Sequence, residues 1–435
     1  MSDKRIIVIG AGPAGMMAAG AAAESGANVT LFEKNARVGR KLAITGKGRC
    51  NITNFCDNET FIAHLTANPR FMYSAINRFS CYDAVAFFED HGLQTKVERG
   101  NRVFPVSDKA LDVVDTLHAY LTQLGVEIVQ KEVKGLVIED GTVKGVRLND
   151  GIMNADAVII ACGGMSYRAT GSTGDGYTFA KAAGHTITPL LPSLVPLNSS
   201  DTDIAELQGL SLKNIRLTVT DNNNQKEVYS ETGEMLFTHF GISGPLVLSA
   251  SAHMRAMSPQ RYTAFIDMKP ALDETVLDKR ILRDLSEFAN KDIINSLGKL
   301  LPKKLIPVII NRAGIDPHTK CNTLTAEQRH SLIEQIKGFQ VHIHSFRPIN
   351  EAIVTHGGVD VKDVDPRTMQ SKLVSGLYFA GEVLDLDAYT GGFNLQIAYA
   401  TGRLAGESAA LSLHFFNSHC EAPLGAVAIS TDKKG

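Results

Sequence analysis

The chain has 435 residues with a formal net charge of −2, 44% hydrophobic residues and 21% charged ones. That length calls for two or three structural units rather than one small core. The near-neutral charge gives no general electrostatic reason to bind nucleic acid or a membrane surface, and no apolar run approaches the roughly 20 residues that cross a bilayer.

In chain order, Ile6 to Ile9 form a short apolar run that stops at Gly10-Ala11-Gly12-Pro13-Ala14-Gly15. This break comes too early for a signal peptide, and a cytoplasmic location follows as the default. An alanine-rich helical stretch comes next, then the strand-like run Val29 to Glu33. Each glycine has a role in a dinucleotide-binding turn. Gly10 permits the tight strand-to-helix turn, Gly12 admits a pyrophosphate to the backbone, and Gly15 lets the helix pack on the strand. The helix N-terminus then presents free N–H groups and a positive dipole end to phosphate. Glu33, at the end of the second strand, is placed to accept hydrogen bonds from ribose hydroxyls.

Residues 38–51 (VGRKLAITGKGRCN) combine glycines with Arg40, Lys41, Lys47 and Arg49 and have little helical periodicity. They read as a loop wrapping an anionic ligand, with Gly48, Arg49, Cys50 and Asn51 inside it. Residues 59–92 carry helical spacing with Phe71, Ile76, Phe79, Val85 and Phe88 inward. From Val126 the pattern becomes extended, and Asp140-Gly141 between two apolar runs predicts a hairpin. The strand Ala157 to Ala161 ends at Cys162-Gly163-Gly164, and Gly174-Asp175-Gly176 is placed to start a helix.

Between about 190 and 355 the strand–helix alternation is lost. Prolines at 189, 192 and 196 mark the boundary. Ile215, Leu217 and Val219 alternate as in a strand, as do Tyr262, Ala264 and Ile266. Leu277, Ile281, Leu285 and Phe288 predict helix within 274–300, and Thr325 with Gln328 predicts a capping box. Gly376 to Glu382 then reads as strand and turn, and Gly391-Gly392-Phe393-Asn394 as a second glycine-to-helix junction. Beyond about Leu413 the pattern fades into a tail.

The six cysteines include no C-x-x-C pair, which argues against a dithiol centre and a zinc ribbon, so no metal site is expected. No second G-x-G-x-x-G stands between a strand and a helix. A nicotinamide donor, NAD(P)H, would therefore visit transiently or bind through the inserted region.

The runs GRKLAITGKGRCNITN, LFTHFGISGP, RPINEAIVTHGGV and GLYFAGEVLDLDAYTGGFNLQIAYATG resemble the bacterial flavoproteins of the BaiN/YhiN type, over Ile6 to about Gly406. The resemblance implies an α/β fold. Its Rossmann-like, glutathione-reductase-like FAD domain is interrupted by a β-barrel-like unit with a helical lobe. It implies FAD contacts at Gly10, Gly12, Gly15, Glu33, Arg40, Lys41, Asn51, Val133, Glu382, Asn394 and Leu395. Ala14, Lys34, Gly163, Asp175, Gly381 and Gly392, with Gly48, Arg49 and Cys50 of the loop, complete the candidate cofactor set. Many related flavoproteins have Gly-Asp at the late strand end. Gly381-Glu382 is one methylene longer.

The expected organisation is 1–190 for the first part of the FAD domain, 191–354 for the inserted substrate region, 355–412 for the second part and 413–435 for the tail. Within the insert, the β unit covers about 191–268 and 338–354, and the helical lobe about 269–337. A helix opening near Asn394 points N–H groups at the flavin, which favours the reduced anion. FAD carries the redox chemistry, leaving orientation and proton delivery to protein groups.

Tyr389 and His356 are the candidate catalytic proton donors, with His239 as a third. The leading expectation is reduction of an electron-poor C=C or C=O bond in a small organic molecule such as an enone, a 3-oxo steroid or a bile-acid-like compound. An amine oxidase of the aminoacetone type, releasing peroxide, is the alternative, and an FAD-bound redox sensor or scaffold is the alternative of another class. No basic patch with interleaved aromatics is evident, so no nucleic-acid partner is expected. No motif sets an oligomeric state.

Overall fold

The fold is that of a computed structural model, which describes residues 4–411. The tail expected from 413 lies outside the described residues.

Five parallel strands form the central sheet: β1 (Arg5–Ile9), β2 (Asn28–Glu33), β3 (Glu127–Gln130), β4 (Ala157–Ile160) and β5 (Leu377–Phe379). Their order is β5-β4-β1-β2-β3. The central strands are apolar on both faces because helices and connections cover both sides. Ile6 to Ile9 and Ala157 to Ile160 are all buried.

Helix α1 (Pro13–Glu24) follows β1 directly and is buried from Ala14 to Ala22, as a helix apolar all round must be. Late in the chain, α2 (Phe393–Leu411) returns and packs on α1. A Cβ on Gly402 would lie 2.4 Å from the Ala14 carbonyl oxygen, and one on Gly406 2.2 Å from that of Ala18. The two helices therefore meet backbone to backbone, a packing that only glycine permits at these positions. This contact brings the first and last glycine junctions to one place.

The expected hairpin is present, with Gly135–Glu139 paired to Thr142–Leu148. A small sheet of Thr53–Asn54, Arg102–Pro105 and Thr95–Glu98 was not anticipated, since strands of two to four residues are too short to show alternation.

The chain leaves the Rossmann-type unit along Leu191–Ser193 and returns along Val354–His356, and these two segments pair antiparallel. Between them, six strands close into a barrel: Leu197–Ser199, Ser211–Asp221, Lys226–Thr238, Gly241–Ser243, Tyr262–Asp267 and Phe339–Phe346. Ile215, Leu217, Val219, Ala264, Ile266 and Val341 belong to its core. Helices Glu274–Glu287, Ile306–Arg312 and Ala326–Lys337 lie between the last two strands, and Thr325 and Gln328 form the expected capping box. The helix from Glu274 ends at Glu287 rather than running toward Leu300, because Ala289-Asn290-Lys291-Asp292 breaks the apolar period. The Rossmann-type unit and the barrel with its helices each have their own apolar core, and Tyr389 packs against both.

Candidate functional site

A cavity of about 740 Å³ runs between the glycine junctions and the near end of the barrel. Gly10, Gly12 and Ala14 line it from the first junction, and Gly392, Asn394 and Leu395 from the last. A Cβ on Gly15 would lie 1.8 Å from the Gly10 carbonyl oxygen, so Gly15 serves helix–strand packing. A Cβ on Gly12 would meet no atom of the described residues within 4 Å. Gly12 is the N-cap of α1 and offers no side chain to the first-turn N–H groups, which remain available to a ligand.

Glu33 is fixed beside this turn. The Ala11 N–H donates to its Oε2 at 3.0 Å, and the Asn35 N–H to its Oε1 at 2.8 Å. Asn35 in turn accepts from Arg40 at 2.8 Å. Lys34 pairs with Asp175 at 2.5 Å, and Val133 and Gly163 also border the cavity.

The basic loop folds as short turns, Leu42–Ile44 and Thr45–Gly48. Lys41 leaves it to reach Glu382 at 2.8 Å and the Ser166 hydroxyl at 2.7 Å. Glu382 Oε1 accepts from Ser166 at 3.1 Å and from the Thr355 N–H at 2.9 Å. The longer glutamate therefore spends its reach on protein partners while still bordering the cavity. Asn51 Oδ1 is buried against the cavity with no hydrogen-bond partner among the described residues. Such an acceptor costs about 1–3 kcal/mol unless a donor reaches it.

At the last junction, Asn394 accepts from the Ala388 N–H at 3.0 Å and donates to the Ala388 carbonyl at 2.8 Å, which fixes the preceding loop. Gln396 is fully buried on the far side, accepting from Thr53 and donating to the Phe79 carbonyl, each at 2.8 Å. Gly15, Gly48, Cys50 and Gly381 do not border the cavity. Cys50 is buried, which pushes its thiol up to about 12, and Gly381 packs on Ala14.

The candidate proton donors separate. Tyr389 lines the cavity, and its hydroxyl lies 2.7 Å from His253 Nε2 in a hydrogen bond. Burial, then the charge of Glu231, pushes its phenol up. His356 lies outside the cavity, held between Asp387 at 3.1 Å and Arg255 at 2.8 Å. Asp387 is buried, which opposes its ionisation, yet the His356 contact and hydrogen bonds from Ser193 and Thr66 hold it below the usual carboxylate range. His356 thus belongs to the knot at the exit and return strands. His239 is exposed on the turn between barrel strands. His253 carries no motif, so only the fold reveals it.

The cavity has two kinds of wall. At the barrel end, Leu194, Met235, Leu236, Leu248 and Ile353 are apolar. At the loop end, Lys47, Arg49, Arg102 and Phe104 form the rim, with the Arg49 guanidinium 4.2 Å from the Phe104 ring centre. Arg99 is exposed on the adjoining hairpin, and exposed Phe55, which bonds Asn101, meets Tyr82 edge-on at 4.9 Å. Glu98 and Asp108 neutralise part of this charge through Arg49 and Lys96. This is a basic, aromatic surface drawn from separate segments, which the linear sequence did not display.

A dinucleotide fits these walls. The bare helix N-terminus and open face of Gly12 suit a pyrophosphate, Glu33 suits ribose, and Asn51 has an acceptor awaiting a donor.

Residues 4–408 match the family model described as the HI0933-like protein Rossmann domain. The chain is 32% identical over 418 residues to the 3-dehydro-bile acid delta(4,6)-reductase of Clostridium scindens, covering 93% of this chain and 99% of that protein. It is 31% identical over 396 residues to the ribosomal RNA dihydrouridine synthase of Escherichia coli, covering 91% and 95%. Among solved structures it resembles the 3-ketosteroid-delta4-(5alpha)-dehydrogenase of Rhodococcus jostii, with a TM-score of 0.53 and 17% identity over 94% of this chain and 98% of that one. The likeness to a protein that acts on ribosomal RNA removes the ground for setting nucleic acid aside. Net charge averages over the chain and does not register a local rim. Among the described residues, no helix is long and apolar enough to cross a membrane.

Proposed function

The chain belongs to the HI0933-like Rossmann-domain family and is an FAD-dependent oxidoreductase, and from that premise we propose that it reduces a carbon–carbon double bond conjugated to a carbonyl. Both of the named relatives' reactions are of this kind: a 3-oxo steroid diene and a uracil ring each present an alkene beside a carbonyl. The observation that carries the reading is the position of Tyr389. It stands on the cavity wall next to the glycine junction that opens α2, with a phenol held in its protonated form.

FAD, when bound, would supply the electron pair with one hydrogen, and a reduced nicotinamide would be the external donor. The protein supplies the rest. Gly12 and the α1 N-terminus would hold the cofactor's pyrophosphate and Glu33 its ribose, while Lys41 with Glu382 joins the loop to the late strand end. Tyr389 delivers the proton that completes addition across the double bond.

The apolar barrel-side wall favours a compact enone. The cationic rim with exposed Phe55 and Tyr82 favours a second substrate class, a uracil within single-stranded RNA, through phosphate pairing and base stacking. Enzyme reduced without oxygen is mixed with a 4-en-3-one steroid or a uracil-containing RNA, and the return of flavin absorbance is followed. Return with the steroid alone assigns the small-molecule class, and salt-sensitive return with RNA alone assigns the second. Return with neither contradicts the reading.

A further inference from the structure

We infer that His253, from the inserted unit, is the positioning residue for the proton donor Tyr389, holding its hydroxyl toward the cavity and replacing the proton that it gives up. The inference rests on the proposed reading of the site and names how that site is supplied with protons.

Tyr389 reaches the cavity from the loop before α2, while His253 follows helix Pro245–Ser251 of the insert, 136 residues away in sequence. Their hydrogen bond at 2.7 Å is set by packing on both sides. The two rings meet nearly perpendicular at 5.3 Å, and the Tyr229 ring lies tilted 5.7 Å from the imidazole. On the Tyr389 side, His64 meets the phenol ring edge-on at 5.5 Å and is stacked on Phe393. The His64 carbonyl accepts from the Tyr389 N–H at 3.1 Å. The phenol is thus fixed in place by both units. His253 does not border the cavity itself, so it acts through Tyr389.

Burial, then the neighbouring Arg255, holds the His253 imidazole below its ordinary pKa, with Asp387 opposing. Near neutral pH the ring therefore carries one N–H. With that hydrogen on Nε2, the ring donates to the Tyr389 oxygen and leaves the phenolic hydrogen directed at the substrate. When the alkene accepts two electrons and one hydrogen from reduced flavin at one carbon, the other carbon takes the phenolic proton. The phenolate takes the Nε2 proton while Nδ1 takes one from water, leaving hydroxide to the solvent, and exchange with solvent returns the ring to its Nε2–H tautomer before the next turnover. The groups facing His253 are Tyr389, Tyr229, Arg255 and Asp387, and those facing Tyr389 are His253, Glu231, Tyr229 and His64.

The test uses holoenzyme with His253→Gln, Tyr389→Phe and both together. Glutamine keeps a hydrogen-bond donor but cannot pass a proton, and retained FAD with unchanged melting shows that folding is intact. His253→Gln is expected to leave flavin reduction unchanged and to slow reoxidation by the substrate roughly tenfold, with an altered pH profile. In the Tyr389→Phe background it is expected to add nothing. NMR of isotope-labelled histidine is expected to show the His253 signal moving in Tyr389→Phe. Unchanged reoxidation and pH profile in His253→Gln, an equal loss with and without Tyr389, or an unmoved His253 signal overturns the inference. Wild-type enzyme reoxidised by neither an enone nor a uracil defeats the reading of the site and this inference with it. Normal wild-type turnover with an unaffected variant defeats the inference alone.

Discussion

Lys41 and Glu382 are 341 residues apart in sequence and meet at 2.8 Å, joining the loop after the first βαβ turn to the turn after the last strand of the sheet. Both side chains are about four-fifths shielded from water, at 21% and 19% exposure, so solvent screens the pair less than a surface one. Lys41→Met leaves Glu382 with only Ser166 and the Thr355 N–H. The expected outcome is a loss of about 1–3 kcal/mol in stability, read by thermal unfolding, and weaker retention of FAD on dilution.

Two glycines three residues apart are expected to fail differently. Gly15→Ala drives a methyl into the Gly10 carbonyl, so the apoprotein itself should melt earlier, by about 1–3 kcal/mol of lost stability. At Gly12 the backbone is extended and no protein atom lies near the added Cβ, so Gly12→Ala should keep the apoprotein's melting temperature. Its methyl instead occupies cofactor space, and FAD titration should show the weakened binding.

The buried knot at the exit and return strands sets a pH dependence. The folded-state pKa of Asp387 lies below the unfolded carboxylate value of about 3.9. The unfolded chain therefore takes up this proton first. The contribution is complete above that value and is lost as pH falls through the lowered folded one. Asp387→Asn should destabilise the protein at neutral pH, and the gap from wild type should narrow through the acid limb. Melting temperatures across the acid range test this.

Cys50 stands in the basic loop but is buried, and its thiol is pushed up to about 12. It should resist alkylation in the native protein at pH values where an ordinary thiol reacts, and label only after unfolding. Mass spectrometry of labelled peptides tests this. Rapid native labelling of Cys50 would place it in contact with solvent.

What was legible in the sequence followed from local rules. Gly10, Gly12 and Gly15 between a strand and a helix announced the Rossmann-type turn, and Asp140-Gly141 announced its hairpin. Thr325 with Gln328 announced a helix start. Each of these signals is complete within a few residues. The barrel showed itself only as scattered alternation at Ile215 to Val219 and Tyr262 to Ile266, since closure depends on pairing between distant strands. The site residues followed the same division. Glu33 and Lys41 stood out by their motifs and border the cavity, whereas His253 sits in Ser251-Ala252-His253-Met254 with no pattern and meets Tyr389 only across the two units. His356 looked equally suited to chemistry, and the fold sets it outside the cavity with Asp387 and Arg255 as partners. Lys47 and Arg49 of the rim stood in the basic loop, but its aromatic side was missed because Phe55 and Arg102 come from segments that only the small sheet brings together.

The central claim, that the first and last glycine junctions grip one flavin together, is tested most directly by titrating FAD into wild-type apoprotein and Gly392→Val. The wild type is predicted to bind about one FAD per chain and turn yellow. In the variant, the new side chain meets the Thr53 backbone and distorts the far junction, so it should bind far less FAD although the N-terminal motif is untouched. Wild-type protein that stays colourless in excess FAD, or a folded variant that binds as tightly as wild type, would contradict the account.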